Sequence, residues 1–506
     1  MSSAHNPTNE QDPEDEEEDV MLDPNEAAEE IIDDGDAAMD SGPEDEGEDE
    51  IMQEIHIQND SSAHFDLHKD SIFCIAQHPL YPQIVATGGS DGDGDDAPGI
   101  GYVFDATPEP SPVLPRSYQS APEEQVERKG QEKLFTLEGH TDSINALTFT
   151  LPKGEFLLSG GLDGKLRAYL AKSKNWKFLG EAQEVEEINW LIPCPNPTFP
   201  NTVALGANDG SVWVYTVDAK SDAPLQIVQS YFLHTESCTA GSWSADGKLL
   251  ATVSEDGSLY VWDVFGEASA AGLLPDGGSS VIALTSIDQR FAVEGGLFSV
   301  AIAPTGAFVV VGGAGGSIKV VGLPRLGEAS SSASAPAGAA AKGKGGKQAG
   351  GKAATTASAG QAGQILADLQ AQSDGIESIA FAAPPLSLLA TGSVDGSIAI
   401  FDSAHRFAVR RHIKEAHEEF SVVKLEFVKD KRGAHFLTSC GMDGVVRRWD
   451  TRGGTALANS GFVREWKGHR GEGEGGGVLG FVQGEGERVV TAGDDGVALV
   501  FETPIA

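Results

Sequence analysis

The stretch Phe156-Leu-Leu-Ser-Gly-Gly-Leu-Asp163-Gly164 decides the fold, because it joins an alternating apolar segment to a two-residue turn. Asp-Gly between two alternating segments indicates a β-hairpin, since the turn requires a positive φ that glycine adopts without strain. The same pattern of apolar segment, small residues and Asp-Gly returns along the chain. The later copies end at Asp209-Gly210, Asp256-Gly257, Asp395-Gly396, Asp443-Gly444 and Asp495-Gly496.

The spacing of these copies predicts one architecture. The turns lie 46 residues apart from Asp163 to Asp209, 47 from Asp209 to Asp256 and 48 from Asp395 to Asp443. Blades of a β-propeller recur about every 40–45 residues, each as a four-stranded sheet. Weaker copies at Asp91-Gly92 and at Gly315-Gly316 fill the gaps. The sequence therefore predicts an all-β propeller, with eight blades favoured and seven as the alternative number.

The content of charged residues differs between the first 54 residues and the rest of the chain. Residues 1–54 contain no Lys or Arg and hold 23 of the 77 acids, which leaves 54 acids against 35 bases elsewhere. Runs of like charge repel each other and bury no core, so we interpret 1–54 as a disordered acidic arm and 55–506 as the propeller. Flexible insertions are predicted at about 108–131 and about 326–363. Ring closure predicts that a final strand from Val497 to Phe501 pairs with the chain around Ile55 to Gln58.

Charge and motif content exclude several classes of function. A net charge of −42 argues against a nucleic-acid partner and favours a basic one. The four cysteines form no Cys-x-x-Cys pair, and no catalytic motif for a serine nucleophile, a zinc hydrolase or a phosphate loop is present. The N-terminus lacks the pattern of a signal peptide, and no apolar run is long enough to cross a membrane. We expect a cytoplasmic, monomeric protein that is not an enzyme and takes no metal or cofactor.

Two dipeptides resemble signatures of WD repeats. Trp262-Asp263 resembles the Trp-Asp that closes a repeat, and Gly139-His140 resembles the Gly-His that opens one. In WD repeats such a histidine and the turn aspartate hydrogen-bond within the blade. We therefore interpret His140 and Asp163 as structural rather than catalytic.

A closer resemblance covers the whole predicted propeller. The segments Gln183–Leu191, Asn208–Tyr215 and Val489–Pro504, together with the acidic arm, resemble the fungal WD-repeat ribosome-assembly chaperones, which are related to the animal angio-associated migratory cell protein. The resemblance implies a dedicated chaperone. It would bind the basic N-terminal segment of a newly made large-subunit ribosomal protein, L-ten (universal name L-sixteen), and deliver it for subunit assembly. A general interaction scaffold in signalling or cell migration is the alternative.

The resemblance and the charge together predict a binding surface on one side of the ring. The starts of the inner strands and the Asp-Gly turns open on the same side of a propeller, so acids there would hold a cationic segment. Apolar residues at comparable positions would cover the aliphatic stems of Lys or Arg. The predicted client-binding residues are Asp142, Glu186, Glu187, Glu255, Glu377, Asp494, Phe73, Phe298 and Met442. For each, an ordinary solvated or packed surface residue is the alternative.

Overall fold

The structure is a computed structural model that describes residues 58–504, apart from 93, 95–96, 109–129, 173–174, 275–277, 327–360, 431, 454–460 and 472–475. The predicted acidic arm and most of both predicted insertions lie outside the described residues. The compact unit that carries the sheets is His56–Ala506. No helix in the described ranges is long and apolar enough to span a membrane.

The described residues form eight antiparallel sheets of four strands each, which confirms the prediction of an eight-bladed propeller. The chain first enters β1 (Ala63–Phe65) and then builds blades 1 to 4 in order. Their strands are β2 (Cys74–Gln77), β3 (Ile84–Ser90), β4 (Gly99–Asp105), β5 (Lys133–Leu137), β6 (Ile144–Phe149), β7 (Phe156–Gly161), β8 (Lys165–Lys172), β9 (Asn175–Gln183), β10 (Ile188–Pro193), β11 (Thr202–Ala207), β12 (Val212–Val217), β13 (Leu225–Tyr231), β14 (Cys238–Trp243), β15 (Leu249–Ser254), β16 (Leu259–Asp263) and β17 (Ser280–Leu284).

Blades 5 to 7 repeat the same order, and blade 8 takes its outer strand from the start of the propeller. A short helix, α1 (Glu267–Ala270), lies in blade 4, and 3-10 turns lie at Ala314–Gly316 and Ser403–His405. The remaining strands are β18 (Leu297–Ile302), β19 (Phe308–Gly313), β20 (Ser317–Gly322), β21 (Ile365–Gln370), β22 (Ile376–Phe381), β23 (Leu388–Ser393), β24 (Ile398–Asp402), β25 (Ala408–Ile413), β26 (Val422–Phe427), β27 (Phe436–Gly441), β28 (Val446–Asp450), β29 (Phe462–Trp466), β30 (Val478–Val482), β31 (Arg488–Gly493) and β32 (Ala498–Glu502).

The core lies between blades rather than within them. Each inner strand contacts the inner strand of the next blade, and β30 contacts β2 to complete the ring. Eight apolar clusters each span one gap between neighbouring blades. Alternating side chains along each strand supply both faces of a sheet, so a blade is buried only when it has two neighbours.

The closing strand differs from the prediction. Ala63–Phe65 pairs with β32, in the register Ala63 to Val500 and Phe65 to Ala498. The predicted segment around Ile55 to Gln58 is therefore wrong in register; Gln58 precedes the strand, and residues 55–57 lie outside the described part of the chain. Phe65 decides the register, because its ring is fully buried and stacks on Phe104 of blade 1 at 4.4 Å.

The Asp-Gly turns have the predicted backbone. The glycines of the six complete copies have φ between 71° and 80°. At Gly164 a side chain would also collide with the carbonyl oxygen of Val185 in the next blade. Glycine is required there both for its left-handed conformation and for the close approach of the neighbouring blade.

The histidine and turn aspartate of blade 2 are bonded as predicted. The Nδ1 atom of buried His140 lies 3.0 Å from Asp163 Oδ1, and its Nε2 atom lies 2.7 Å from Ser159 Oγ. The sequence interpretation missed the same arrangement in blade 7, where His417 lies 2.9 Å from Asp443 and 2.7 Å from a serine hydroxyl. A preceding Gly would have revealed it, but Ala416 stands there.

Candidate functional site

The same backbone hydrogen bond recurs from blade to blade on the side of the ring where the predicted residues lie. In blades 2 to 8, the residue that follows the second strand donates its backbone N–H to the carbonyl oxygen of the residue that precedes the inner strand. Examples are Glu255 to Ser237 at 3.1 Å, Met442 to Ser421 at 3.0 Å and Asp494 to Gly477 at 2.9 Å. We call the inner-strand approaches, the first two inner-strand residues and the turns between second and third strands the turn rim.

A β-bulge interrupts the inner strand of blades 2 to 8 on this rim, and the residue at the bulge is half-buried or, at Glu377, exposed. In blades 2 to 8 the pairing of the inner strand skips its second residue, as at Phe298 in blade 5 and Glu377 in blade 6. A bulged residue makes no ladder pair and its side chain is redirected. The bulge therefore explains why Glu377 is exposed although it lies within β22.

The structure places all nine predicted residues on the turn rim but distributes them around it. Every blade supplies one, and blade 3 supplies the neighbouring pair Glu186 and Glu187. In blade order they are Phe73, Asp142, Glu186 and Glu187, Glu255, Phe298, Glu377, Met442 and Asp494. Any client segment that contacts many of them would therefore lie across the ring rather than in one blade.

The three apolar residues differ in exposure. The ring of Phe73 is 39% exposed, whereas Phe298 and Met442 are half-buried. Met442 lies against Gly477 of blade 8, where an added Cβ would meet its sulfur. Phe73 consequently offers the largest apolar surface of the three to a partner.

The acids of the rim fall into two groups: those that accept hydrogen bonds within their own blade, and those that form no ion pair with a Lys or Arg of the described residues. Turn aspartates such as Asp163 and Asp395 accept several hydrogen bonds inside their own blade, and these bonds lower the pKa of the Asp395 carboxyl to about 2 despite burial that raises it. Among the described residues, no Lys or Arg forms an ion pair with Glu186, Glu255 or Glu377. The first group stabilises the blades. The carboxylates of the second group, Glu186, Glu255 and Glu377, are available to a cationic partner.

Two predicted acids are partly engaged. Asp142 accepts the N–H of Ser143 at 2.6 Å. Asp494 accepts the hydroxyl of Ser71 at 2.6 Å and so joins blade 8 to blade 1. The closure of the ring therefore holds the Asp494 side chain in place.

Sequence reasoning missed six further acids on the same rim. They are Asp70, Glu236, Glu294, Asp374, Glu418 and Glu419. A signal was present, because Asp142, Glu186, Glu236 and Asp374 each lie two residues before the buried first residue of an inner strand, and Asp70 lies two residues before buried Ile72. With these acids, each of the eight blades contributes a carboxylate to the rim.

Cations on these loops are fewer and mostly paired. Lys69 bonds Asp91 at 2.9 Å, Arg290 bonds Asp288 at 2.7 Å and Lys165 lies 3.5 Å from Asp163. Lys414 and Arg470 are exposed. The rim therefore carries an excess of negative charge.

The negative charge of the rim affects the pKa of Glu377. Partial desolvation raises the pKa of its carboxyl, and the negative charge of Asp374 raises it further. A carboxylate among like charges gains most from a cation that neutralises several of them. The described residues contain no group of three His, Cys, Asp or Glu side chains that could hold a metal ion.

The fold and this rim define a WD-repeat propeller with a carboxylate-bearing face. The family described as WD domain, G-beta repeat matches residues 131–169, 225–263 and 363–402.

Comparison with whole proteins shows to which group of WD-repeat proteins the chain is similar. The crystal structure of Chaetomium thermophilum Sqt1 bound to the N-terminus of the ribosomal protein L10 is 57% identical, at a TM-score of 0.74, over 88% of this chain and 100% of that one. The ribosome assembly protein SQT1 of Saccharomyces cerevisiae is 26% identical over 90% of each chain. Human angio-associated migratory cell protein is 25% identical over 89% of this chain and 82% of its own. The chain belongs to the Sqt1 family of WD-repeat proteins.

Proposed function

We propose that this chain is a dedicated chaperone of a large-subunit ribosomal protein of the L-ten (universal name L-sixteen) family. It binds the basic N-terminal segment of the newly made protein on the turn rim and delivers it for assembly of the large ribosomal subunit. The observation that carries the proposal is the rim itself, to which every blade contributes a carboxylate. The related Chaetomium thermophilum Sqt1, crystallised with the N-terminus of the ribosomal protein L10, supports the choice of client.

Binding on the rim follows from charge and shape. The negative field attracts a Lys/Arg-rich segment, and each captured ammonium or guanidinium forms a charge-assisted hydrogen bond with a carboxylate. Glu377, Glu255 and the pair Glu186 and Glu187 are exposed or half-buried and supply such acceptors. Phe73 covers the aliphatic stem of a bound side chain. The remaining predicted contacts are Asp142, Asp494, Phe298 and Met442.

The role proposed is binding rather than catalysis, and its place is the cytoplasm, where ribosomal proteins are made. A client segment that is held by carboxylates is kept from RNA, because both compete for the same cations.

Titration of the full chain with the N-terminal peptide of the ribosomal protein L10 tests the proposal. The Glu377→Lys variant reverses one charge on the rim, and Glu485→Lys makes the same change at an exposed acid between β30 and β31, on the opposite side of the ring. We expect the first to weaken binding by roughly 30-fold or more, equivalent to about 2 kcal/mol, and the second by less than about threefold. Binding should also weaken as salt rises, because exposed charges are screened.

Two results would overturn the proposal. The peptide would fail to bind the unaltered chain, or both variants would weaken binding equally, in which case only the net charge of the protein matters. A general scaffold predicts a different outcome, since affinity purification would then recover several unrelated partners and no preference for the ribosomal segment.

A further inference from the structure

Two aromatic rings are accessible to solvent beside the turn rim in blade 3. Phe232 and Leu233 open the connection from β13 to β14, and they are 64% and 46% exposed. The Phe232 ring lies perpendicular to the half-buried ring of Trp213, with centroids 5.5 Å apart. In the described part of the chain, no Phe, Tyr or Trp is more exposed than Phe232. Contiguous apolar surface rimmed by polar groups marks a site of interaction, and we call Trp213 and Phe232 the aromatic pair.

Hydrogen bonds connect the aromatic pair to the acids of the rim. The indole N–H of Trp213 donates to Ser211 Oγ at 2.9 Å, and the Ser211 hydroxyl donates to Asp209 Oδ1 at 2.6 Å. The turn that contains Asp209 lies against the approach to blade 4, since a Cβ added at Gly210 would meet the carbonyl oxygen of Glu236 at 2.6 Å. Asp209 and Glu236 are both exposed. The rings therefore lie beside acids that are themselves accessible to a partner.

The position that Trp213 occupies carries a cation in three other blades. In those blades, the residue four positions after the start of the turn is basic and pairs with an acid directly across the outer strand. The pairs are Arg167 with Glu181 in blade 2, Lys319 with Asp368 at 2.6 Å in blade 5, and Arg447 with Glu465 at 3.4 Å in blade 7. In blade 2 the guanidinium of Arg167 also lies over the Phe178 ring, 4.3 Å from its centroid. This fold therefore already combines a guanidinium, an aromatic ring and a carboxylate at the equivalent position.

Blade 3 has the rings and the acids but supplies no cation to them. Trp213 faces Ser230 across the strand pair, and within the described ranges no Lys or Arg lies over the ring of Trp213 or Phe232. From residue 178 to residue 247 the sequence holds nine acids and one base, Lys220. Lys220 lies between β12 and β13, on the side of the ring opposite the turn rim. A cation over the aromatic pair must therefore come from a partner.

We propose that the aromatic pair binds the guanidinium group of an arginine in the basic segment of the client. The planar guanidinium stacks on the exposed Phe232 ring, and the carboxylates of Asp209 and Glu236 attract its charge. The ammonium group of lysine is compact and strongly hydrated and does not stack, so this site distinguishes Arg from Lys, which acids alone do poorly. The inference rests on the proposed function for the identity of the client and adds the residue type that the rim selects.

Titration of the full chain with nona-arginine and with nona-lysine separates stacking from charge, because the two peptides carry the same charge. We expect the unaltered chain to bind nona-arginine more tightly. Phe232→Leu keeps an apolar side chain but removes the ring, and should reduce this preference by about threefold or more. Phe462→Leu makes the same change at a ring that is 43% exposed at the start of β29, away from the rim, and should leave the preference unaltered. Phe232→Leu should also keep the salt dependence of binding, since it removes no charge.

The N-terminal peptide of the ribosomal protein L10, compared with a copy in which every Arg is replaced by Lys, separates this inference from the proposed function. We expect the copy to bind more weakly to the unaltered chain, and the difference to shrink in Phe232→Leu. If the L10 peptide does not bind while Phe232→Leu still reduces the preference for nona-arginine, the client is wrong and the arginine site stands. A preference for Arg that is unchanged in Phe232→Leu with both kinds of peptide would overturn the inference. Dimerisation of the unaltered chain that Phe232→Ser abolishes would assign the rings to a second copy and would also overturn it.

Discussion

The turn aspartates allow a sharp test of what stabilises the ring, because the same motif has different partners in neighbouring blades. In blade 2, Asp163 accepts the N–H of Thr141 at 2.8 Å and that of Lys165 at 3.0 Å, and contacts His140 at 3.0 Å. In blade 3, Asp209 is exposed and its hydrogen bonds come from Ser211. Substitution of each aspartate by Ala should therefore have very different effects.

The expected magnitudes follow from what is left without a partner. Asp163→Ala leaves His140, which is 2% exposed, without its Nδ1 partner, together with two backbone N–H groups. Breaking a buried pair of this kind costs about 3–5 kcal/mol. Asp209→Ala removes two hydrogen bonds from Ser211, which is 2% exposed, and a hydrogen bond between such groups is worth about 0.5–1.5 kcal/mol. Blade 3 has Glu184 where blade 2 has His140, so no buried histidine is left unsatisfied there.

Urea unfolding of the two variants, followed by tryptophan fluorescence, measures the difference. The Asp163→Ala midpoint should fall clearly below that of Asp209→Ala, because 3–5 kcal/mol is a large part of a typical stability of about 5–15 kcal/mol. Equal midpoints would refute the reasoning, since the Asp-Gly turn alone would then account for the role of the aspartate.

Three further predictions concern acid, ring closure and thiols. The pKa of Asp395 is lowered to about 2, so its stabilising contribution is present above about pH 4 and is lost as pH falls from 4 towards 2; the stability difference between the unaltered chain and Asp395→Asn should vanish over that range, and a difference that persists at pH 2 would contradict this. Phe65→Ala should cost about 3–5 kcal/mol in chemical unfolding, because Phe65 fills the closing gap beside Phe104, and a cost below about 1 kcal/mol would show that closure does not depend on it. Burial raises the pKa of all four free thiols, to about 11 for Cys194 and about 12 for Cys440, so a thiol reagent at pH 8 should label the unfolded chain much faster than the folded one.

The candidate rim was predictable in part. Position relative to the Asp-Gly turns predicted that Glu377, Glu255 and Asp494 lie on one side of the ring, because every blade repeats the same connections, and the structure has all three on the turn rim. Sequence reasoning treated all these acids alike, although Asp494 bonds Ser71 of another blade, and it missed Asp374, which lies beside Glu377. The bond between Asp494 and Ser71 joins residues 423 apart in sequence, so local spacing carries no signal for it, whereas the position of Asp374 relative to β22 was a local signal that went unused.

The amino-acid sequence by itself determined the repeat and the excess of acids, and limited the number of blades to seven or eight, because hydrophobic alternation, turn glycines and charge are local properties of the chain. Only the tertiary structure decided that Ala63–Phe65 closes the ring and that Asp494 of blade 8 bonds Ser71 of blade 1. Both depend on which side chains fill the gaps between blades, and those gaps exist only after the ring has formed.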